Sequence, residues 1–390
     1  MNNKTFCVHP WVRHFVNTQG SAELCCESDR SHSDHNITTD WHAPHLQQAR
    51  ATWNQGQWPP ECHRCQHIES QGGRSLRQIV NNQYESQYEF FQRFQTVRPP
   101  PPVAYDLRLS NRCNLQCVMC NPHSSDSIAR AYAEWLNQPI TDQTSDDHTH
   151  TLIDMICDHS EHCEHVQLAG GEPFVMPGVP ELLTHLCDSG HSQHIDLEVT
   201  TNGTVLRPQW CDQWFARFRS CHISVSVDAV GDRNEYVRWG HRWHTLTRRI
   251  GAMIREFETV DHCRVTVGAT VHAATVSEIP RLWQWCDEQG ILCDFTCVTD
   301  PTWLRPERAP RKIRDQVCDW IDSLTVAQQT DSNLKPTVWN CLRATHTDTE
   351  DDVRRQTEYI TYLNATRPMT WQQAVPELAD WDPDGEPPPQ

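Results

Sequence analysis

Three cysteines crowd the stretch Ser110-Asn111-Arg112-Cys113-Asn114-Leu115-Gln116-Cys117-Val118-Met119-Cys120, with the spacing C-x3-C-x2-C. Thiolates gathered on one short loop suit a metal centre. A structural zinc ion closes its shell with four ligands. A cubane iron–sulfur cluster takes one ligand per iron, usually a cysteine, so three cysteines leave one iron open for another molecule. Nineteen cysteines in a chain of 390 residues do not read as a disulfide framework: the number is odd and the chain is long. Those standing singly in apolar or helical patterns, such as Cys157, Cys187, Cys211, Cys263, Cys286 and Cys318, read as buried packing residues.

A second set lies at the N-terminus. Cys7, Gly20 and the pair Cys25-Cys26 follow the spacing C-x12-G-x4-C, and Cys62-His63-Arg64-Cys65 adds C-x2-C. Residues 1–70 show little regular periodicity, so a metal tied by Cys7, Cys25 or Cys26, Cys62 and Cys65 would compensate for a thin core. Zinc on the same thiolates is the alternative, with His63 and His67 as possible substitutes.

Three further motifs carry polar groups. Gly170-Gly171-Glu172-Pro173 joins two glycines, which let backbone approach a ligand, to a carboxylate able to accept from an ammonium. Thr200-Thr201-Asn202-Gly203-Thr204 brings polar groups that could meet ribose hydroxyls; a plain strand-ending turn is the competing reading. In Ser224-Val225-Ser226-Val227-Asp228 the alternation puts Ser224, Ser226 and Asp228 on one face. Arg238 follows Ser226 by twelve residues, and its guanidinium fork suits a carboxylate, with a surface ion pair as the alternative.

Together, in this order, these motifs resemble the radical S-adenosylmethionine (radical SAM) superfamily, of the kind with a twitch or SPASM auxiliary-cluster module. The module precedes the barrel here, whereas in most relatives it follows. No further cysteines for a second auxiliary cluster are found, so the similarity is to the one-cluster twitch arrangement. The resemblance implies that Cys113, Cys117 and Cys120 hold a SAM-binding [4Fe-4S] cluster whose open iron takes the amino and carboxylate groups of SAM. It implies that Gly170, Gly171 and Glu172 hold the amino group, that Thr201, Asn202, Ser224 and Asp228 belong to the SAM site, and that Ser226 with Arg238 holds the carboxylate. A second, auxiliary [4Fe-4S] cluster is implied at Cys7, Cys25, Cys62 and Cys65. The residue before the last cysteine, usually aromatic in the family, is Met119 here. Methionine is apolar and adaptable enough to take that place.

The elements that must position these residues show in the hydrophobic pattern. Strand-like runs at residues 103–109, 165–168, 196–200, 222–227, 263–271 and 291–298 alternate with helical patterns at 124–136, 151–159, 179–189, 208–218, 243–258 and 277–288. Six β–α units argue for a parallel sheet of the α/β class, and the resemblance implies a partial (β/α)6 TIM barrel. In such folds the loops at the strand C-terminal ends carry the chemistry. Residues 75–97 read as one amphipathic helix used for packing, stopped by Pro99-Pro100-Pro101-Pro102. The expected domains are an auxiliary-cluster module with its linking helix at 1–98, the barrel at 103–300, a helical extension at 301–379 and a disordered acidic, proline-rich tail at 380–390. In the extension, residues 311–324, 352–363 and 371–378 read as helices.

Cys293 and Cys297 share one face of the sixth run, and Cys297 ends it, so Cys297 is the candidate catalytic thiol that returns a hydrogen atom to a substrate radical. Core packing is the plain reading of both. Cys341 is a spare ligand or nothing.

The net charge of −18, with only Lys4, Lys312 and Lys335 as lysines, argues against nucleic acid as a partner. No apolar run spans a membrane and the N-terminus lacks a secretory core, so a cytoplasmic location is expected. The implied function is abstraction of a hydrogen atom from a small biosynthetic intermediate, with the auxiliary cluster assisting electron transfer. The other readings are a peptide substrate that is crosslinked or epimerised, sulfur insertion, and a non-catalytic zinc or iron–sulfur scaffold. An electron donor such as flavodoxin or ferredoxin is the implied partner.

Overall fold

The computed structural model describes residues 4–29, 38–70, 74–137, 139, 146–344 and 349–378; the expected tail lies outside them. The described residues form ten strands: β1 (Arg13–Val16), β2 (Ala22–Glu23), β3 (Ala104–Arg108), β4 (Gln116–Cys117), β5 (His165–Ala169), β6 (Asp196–Thr201), β7 (Ser220–Ser226), β8 (Arg238–Trp239), β9 (Cys263–Val271) and β10 (Cys293–Cys297). The six expected runs are β3, β5, β6, β7, β9 and β10, and helices follow them as the pattern requires. This is the α/β architecture of a partial barrel.

Contacts divide the chain into two units. The first comprises Met1–Arg112, Gln143–Val199 and Asp212–Cys221; the second comprises Cys113–Asp142, Thr200–Cys211 and His222–Gln390. The polyproline segment is therefore interior to the first unit, with residues on both sides of it packed together.

In the first unit β3 pairs in parallel with β5, and β5 with β6. The N-terminal stretch is not merely loops: β1 adds to β3 in parallel, and β2 turns back on β1 antiparallel. All four residues of β1 are buried, including Arg13 and His14, so the strand shows no alternation in the sequence. Tertiary packing, not local pattern, makes it a strand. Residues 75–97 form two helices, Leu76–Gln83 and Glu85–Phe94, because Tyr84 leaves the helical region at φ −113° and ψ 47°. Val80, Tyr84 and Phe91 are buried, whereas Ile79, Phe90 and Phe94 are exposed, so only part of the expected stripe serves packing.

In the second unit β9 pairs in parallel with β10 and β4 pairs antiparallel with β8. On β7, Ser220, His222, Ser224 and Ser226 are partly exposed and the residues between them are buried. A Cβ on Gly268 would come within 2.7 Å of Ser224 Oγ, so these two share a face. Gly268 pairs with Asp294, and Thr270 with Thr296, which makes one polar, open face. The opposite face, with Val267, Ala269, Val271, Cys293, Phe295 and Cys297, is apolar and packs under helices. One of these is Ile279–Glu288, where Leu282 and Cys286 are buried. Among the described residues no helix is long and apolar enough to cross a membrane.

Candidate metal centres

The second unit holds the C-x3-C-x2-C loop. Its first cysteine is clamped by the helix Asp126–Leu136: Cys113 N donates to Asp126 Oδ1 at 2.9 Å, and Ser127 Oγ donates to Cys113 O at 2.6 Å. Ser125 caps that helix, its Oγ accepting from Ile128 N at 3.3 Å. Cys117 lies on β4 opposite Arg238 on β8. Val118 N donates to Val237 O at 2.7 Å, and the buried Tyr359 hydroxyl donates to Val118 O at 3.1 Å. Leu115, Val118 and Met119 are buried in one core with Tyr236, Trp303 and Tyr359. The loop is thus fixed on both flanks.

The three thiols are electrostatic neighbours. Burial pushes Cys117 up to about 12; the nearby Arg238 guanidinium pulls it down and Cys113 pushes it up again. Cys120 is raised by burial and then by Cys117 and Cys113. Cys117 is buried and Cys113 and Cys120 are half-buried; crowded thiols whose ionisation is disfavoured are poor as free thiolates and good as ligands, because a bound metal supplies the missing positive charge. This donor set fits an iron–sulfur cluster.

Arg238 is less free than its spacing suggested. Its Nε is 2.6 Å from Asp228 Oδ2, its Nη2 donates to Asp228 Oδ1 at 2.9 Å, and its Nη1 points to Cys117 Sγ at 3.9 Å. The fork expected to take a substrate-side carboxylate is occupied by Asp228, which is itself buried and also accepts from Thr270 N at 2.8 Å. Thr201 and Asn202 make the turn after β6: Gly203 N donates to Thr201 Oγ1 at 3.1 Å, and Thr204 N donates to Asn202 Oδ1 at 2.9 Å. The strand-ending reading of this motif therefore describes its hydrogen bonds, but Asn202 also donates to Asn114 Oδ1 at 2.9 Å, inside the cysteine loop. Ser224 and Ser226 lie on the open polar face. Cys297 is on the opposite face, where its nearest hydrogen-bonding neighbour is Cys341. Odd-numbered positions of β10 face the helices, so Cys297 packs with Cys341 and is not presented to the open face.

In the first unit, Gly171 has φ +36°, and a Cβ there would fall 2.2 Å from Arg112 O. Glu172 N donates to the same carbonyl at 2.8 Å. Only glycine allows this approach, and it places the GGEP turn against the residue that precedes Cys113 in the chain. Gly170, at φ +80°, backs onto Arg108 and Thr18. Glu172 is fully buried and its Oε1 accepts from Phe174 N at 3.2 Å.

The N-terminal cysteines also meet in the first unit. Cys7, Cys25, Cys62 and Cys65 line one small cavity together with His9, Trp53, Trp58 and Arg77. Cys62 is raised by burial, then by Cys7 and Cys65. Cys7 is pushed up to about 12, chiefly by burial, with Cys65 adding to it. The cysteine-bearing segments are stitched by hydrogen bonds: Asp29 N donates to Glu61 O at 3.0 Å, and Arg77 donates to Phe6 O at 2.8 Å and to both oxygens of Glu69 at 2.8 and 2.6 Å. Cys26 is exposed and lies away from the cavity lining. His63 pairs with Asp29 at 3.2 Å and does not line the cavity; neither does His67.

Two cavity residues escaped the sequence reading. His9 is buried, with Nδ1 unpartnered, and burial lowers its pKa to about 3. Its place two residues after Cys7 was the available signal. Arg77 looked like one more polar residue on a helix. Among the described residues no three Cys, His, Asp or Glu side chains converge on a point as ligands of a single ion; the four N-terminal cysteines instead border one cavity.

Residues 107–282 match the family model of the radical SAM superfamily, and this stretch is a radical SAM domain. Such a domain implies a [4Fe-4S] cluster and SAM. In sequence the chain is 36% identical over 107 residues to GTP 3',8-cyclase of Streptomyces coelicolor, covering 27% of this chain and 28% of that protein. It is 25% identical over 209 residues to AdoMet-dependent heme synthase of Methanosarcina barkeri, covering 52% of each. It is 26% identical over 133 residues to the antilisterial bacteriocin subtilosin biosynthesis protein AlbA of Bacillus subtilis, covering 34% and 25%. The chain thus spans about half the length, or less, of these curated relatives. Among solved structures, Streptococcus suis SuiB bound to S-adenosylmethionine aligns over 75% of this chain and 64% of that one, at 15% identity and a TM-score of 0.39.

Proposed function

We propose that the chain is a radical SAM enzyme acting on a small biosynthetic intermediate. The observation that carries this is the trio Cys113, Cys117 and Cys120, three neighbouring thiols on one loop inside the stretch that matches the radical SAM family model. When bound, the cluster and SAM supply a 5'-deoxyadenosyl radical that abstracts a hydrogen atom. The protein's part is to hold and orient. Gly170, Gly171 and Glu172 are assigned to the amino group of SAM on the strength of their motif, and Ser224, Ser226, Thr201 and Asn202 to its remaining polar groups. Asp228 and Arg238 act from behind the cysteine loop.

The four thiols lining one cavity support an auxiliary [4Fe-4S] cluster on Cys7, Cys25, Cys62 and Cys65, with Cys25 rather than Cys26 as the ligand. Its role is electron transfer, with flavodoxin or ferredoxin as the external donor, and the location is cytoplasmic. The small-molecule reading is favoured because GTP 3',8-cyclase is named for a small-molecule substrate and the heme synthase for a small-molecule product. AlbA, named for bacteriocin biosynthesis, keeps a peptide substrate as the second reading. The test is anaerobic reconstitution with iron and sulfide, followed by reductant and SAM. Formation of 5'-deoxyadenosine with about eight irons per chain, two cubanes, supports the proposal; an intact cluster that never cleaves SAM sinks it.

A further inference from the structure

Two nitrogen donors aim at sulfur in the cysteine loop. Arg238 Nη1 is 3.9 Å from Cys117 Sγ, and Asn202 Nδ2 is 4.0 Å from Cys113 Sγ. The two donors come from distant parts of the sequence, yet a buried chain of hydrogen bonds joins them. His241 Nε2 lies 2.9 Å from the Asn202 carbonyl, and His241 Nδ1 lies 3.0 Å from Asn234 Nδ2. Asn234 Oδ1 accepts from Asp228 N at 3.1 Å, and the Asp228 carboxylate grips Arg238.

The chain has only one consistent proton arrangement. An amide nitrogen is a donor, so His241 Nδ1 must accept from Asn234 and His241 Nε2–H must donate to Asn202 O. The imidazole is therefore neutral, in agreement with burial, which lowers its pKa to about 4. Every member of the chain is less than a tenth exposed. A polar network this buried is costly to assemble, and holding SAM does not by itself account for it.

We propose that Asn202, His241, Asn234, Asp228 and Arg238 form a unit that sets the reduction potential of the cluster on Cys113, Cys117 and Cys120. The inference rests on the reading that these cysteines hold the cluster. One-electron reduction, by an external low-potential donor, adds one negative charge to the cluster and its sulfurs. N–H donors fixed against those sulfurs favour the more negative state and raise the potential. Arg238 weighs more on Cys117 than its ion-pair partner Asp228 does, and the buried site leaves that difference weakly screened. Asp228 holds the guanidinium in place, and His241 and Asn234 hold the Asn202 end. All five are positioning residues acting through Cys113 and Cys117.

The experiment is an EPR-monitored redox titration of the anaerobically reconstituted holoprotein without SAM, following the signal that changes when SAM is later added. Arg238→Gln alone would strand the buried carboxylate of Asp228, so it is combined with Asp228→Asn. The double variant is expected to keep its iron and to be about tenfold harder to reduce, a fall of ~59 mV for one electron. Asn202→Ser, which disturbs no charge, should shift the midpoint the same way by less, and decides the matter if the double variant fails to hold iron. Midpoints equal to wild type with full iron content overturn the inference, whether or not SAM affinity falls. If the wild-type trio binds no cluster, the reading of the site itself fails, and that outcome is seen first, in the iron count.

Discussion

Cys25 and Cys26 are adjacent in the chain and face different surroundings. Cys25 lines the cavity shared with Cys7, Cys62 and Cys65; Cys26 has Asp106 and Arg108 as its nearest charges. The proposed auxiliary cluster takes one ligand from this pair, and the cavity lining favours Cys25. Cys25→Ala should drop the reconstituted iron from about eight to about four per chain, one cubane, whereas Cys26→Ala should leave it unchanged. Iron and sulfide analysis of the two purified variants checks this.

The approach of Gly171 to Arg112 O predicts an asymmetry among glycines. Gly171→Ala combines a positive φ with a contact of 2.2 Å to backbone, while Gly190→Ala has φ +80° and nothing within 4 Å. Gly190→Ala should cost about 1–2 kcal/mol, the penalty of a left-handed conformation. Gly171→Ala should cost clearly more, because a backbone carbonyl must also move. Thermal melting of both variants measures the difference.

Glu69 gives a pH dependence. Burial opposes its ionisation, but hydrogen bonds from Arg77 and Ser75 win and hold the carboxyl below its usual range. A depressed carboxyl contributes stability that is present above its unfolded pKa and lost as pH falls through its folded one. The melting temperature of wild type should therefore drop more steeply below the ordinary glutamate range than that of Glu69→Gln. Parallel slopes for the two proteins would remove Glu69 from the account. Because Arg77 also holds Phe6, the residue before Cys7, the low-pH loss should be accompanied by loss of auxiliary iron.

Much of the fold was legible in the sequence where burial alternates. The runs that became β6 and β7 alternate throughout and those of β5, β9 and β10 in part, whereas β3 is buried at four consecutive positions; the three motif loops follow β3, β5 and β6 as read. β1 was invisible because all four of its residues, Arg13 and His14 included, are buried and the strand it pairs with, β3, is distant in the chain, which no local pattern reports. The break at Tyr84 was hidden for the same reason, since a tertiary environment turns that side chain inward. For the site, residue types were readable and pairings were not. Asp228 and Arg238 were both picked out, but only the structure shows that they hold each other. Cys293 and Cys297 were correctly put on one face; which face is fixed by their pairing with Val267 and Val271.

The central claim is that Cys113, Cys117 and Cys120 hold a cluster that cleaves SAM. Its most direct test is the amount of 5'-deoxyadenosine formed by reduced, reconstituted protein given SAM, measured by mass spectrometry beside a Cys113→Ala/Cys117→Ala/Cys120→Ala variant. The account predicts 5'-deoxyadenosine and methionine from wild type and none from the variant, which should still bind about four irons at the N-terminal site. No product from wild type with both clusters intact, or equal product from the variant, would contradict it.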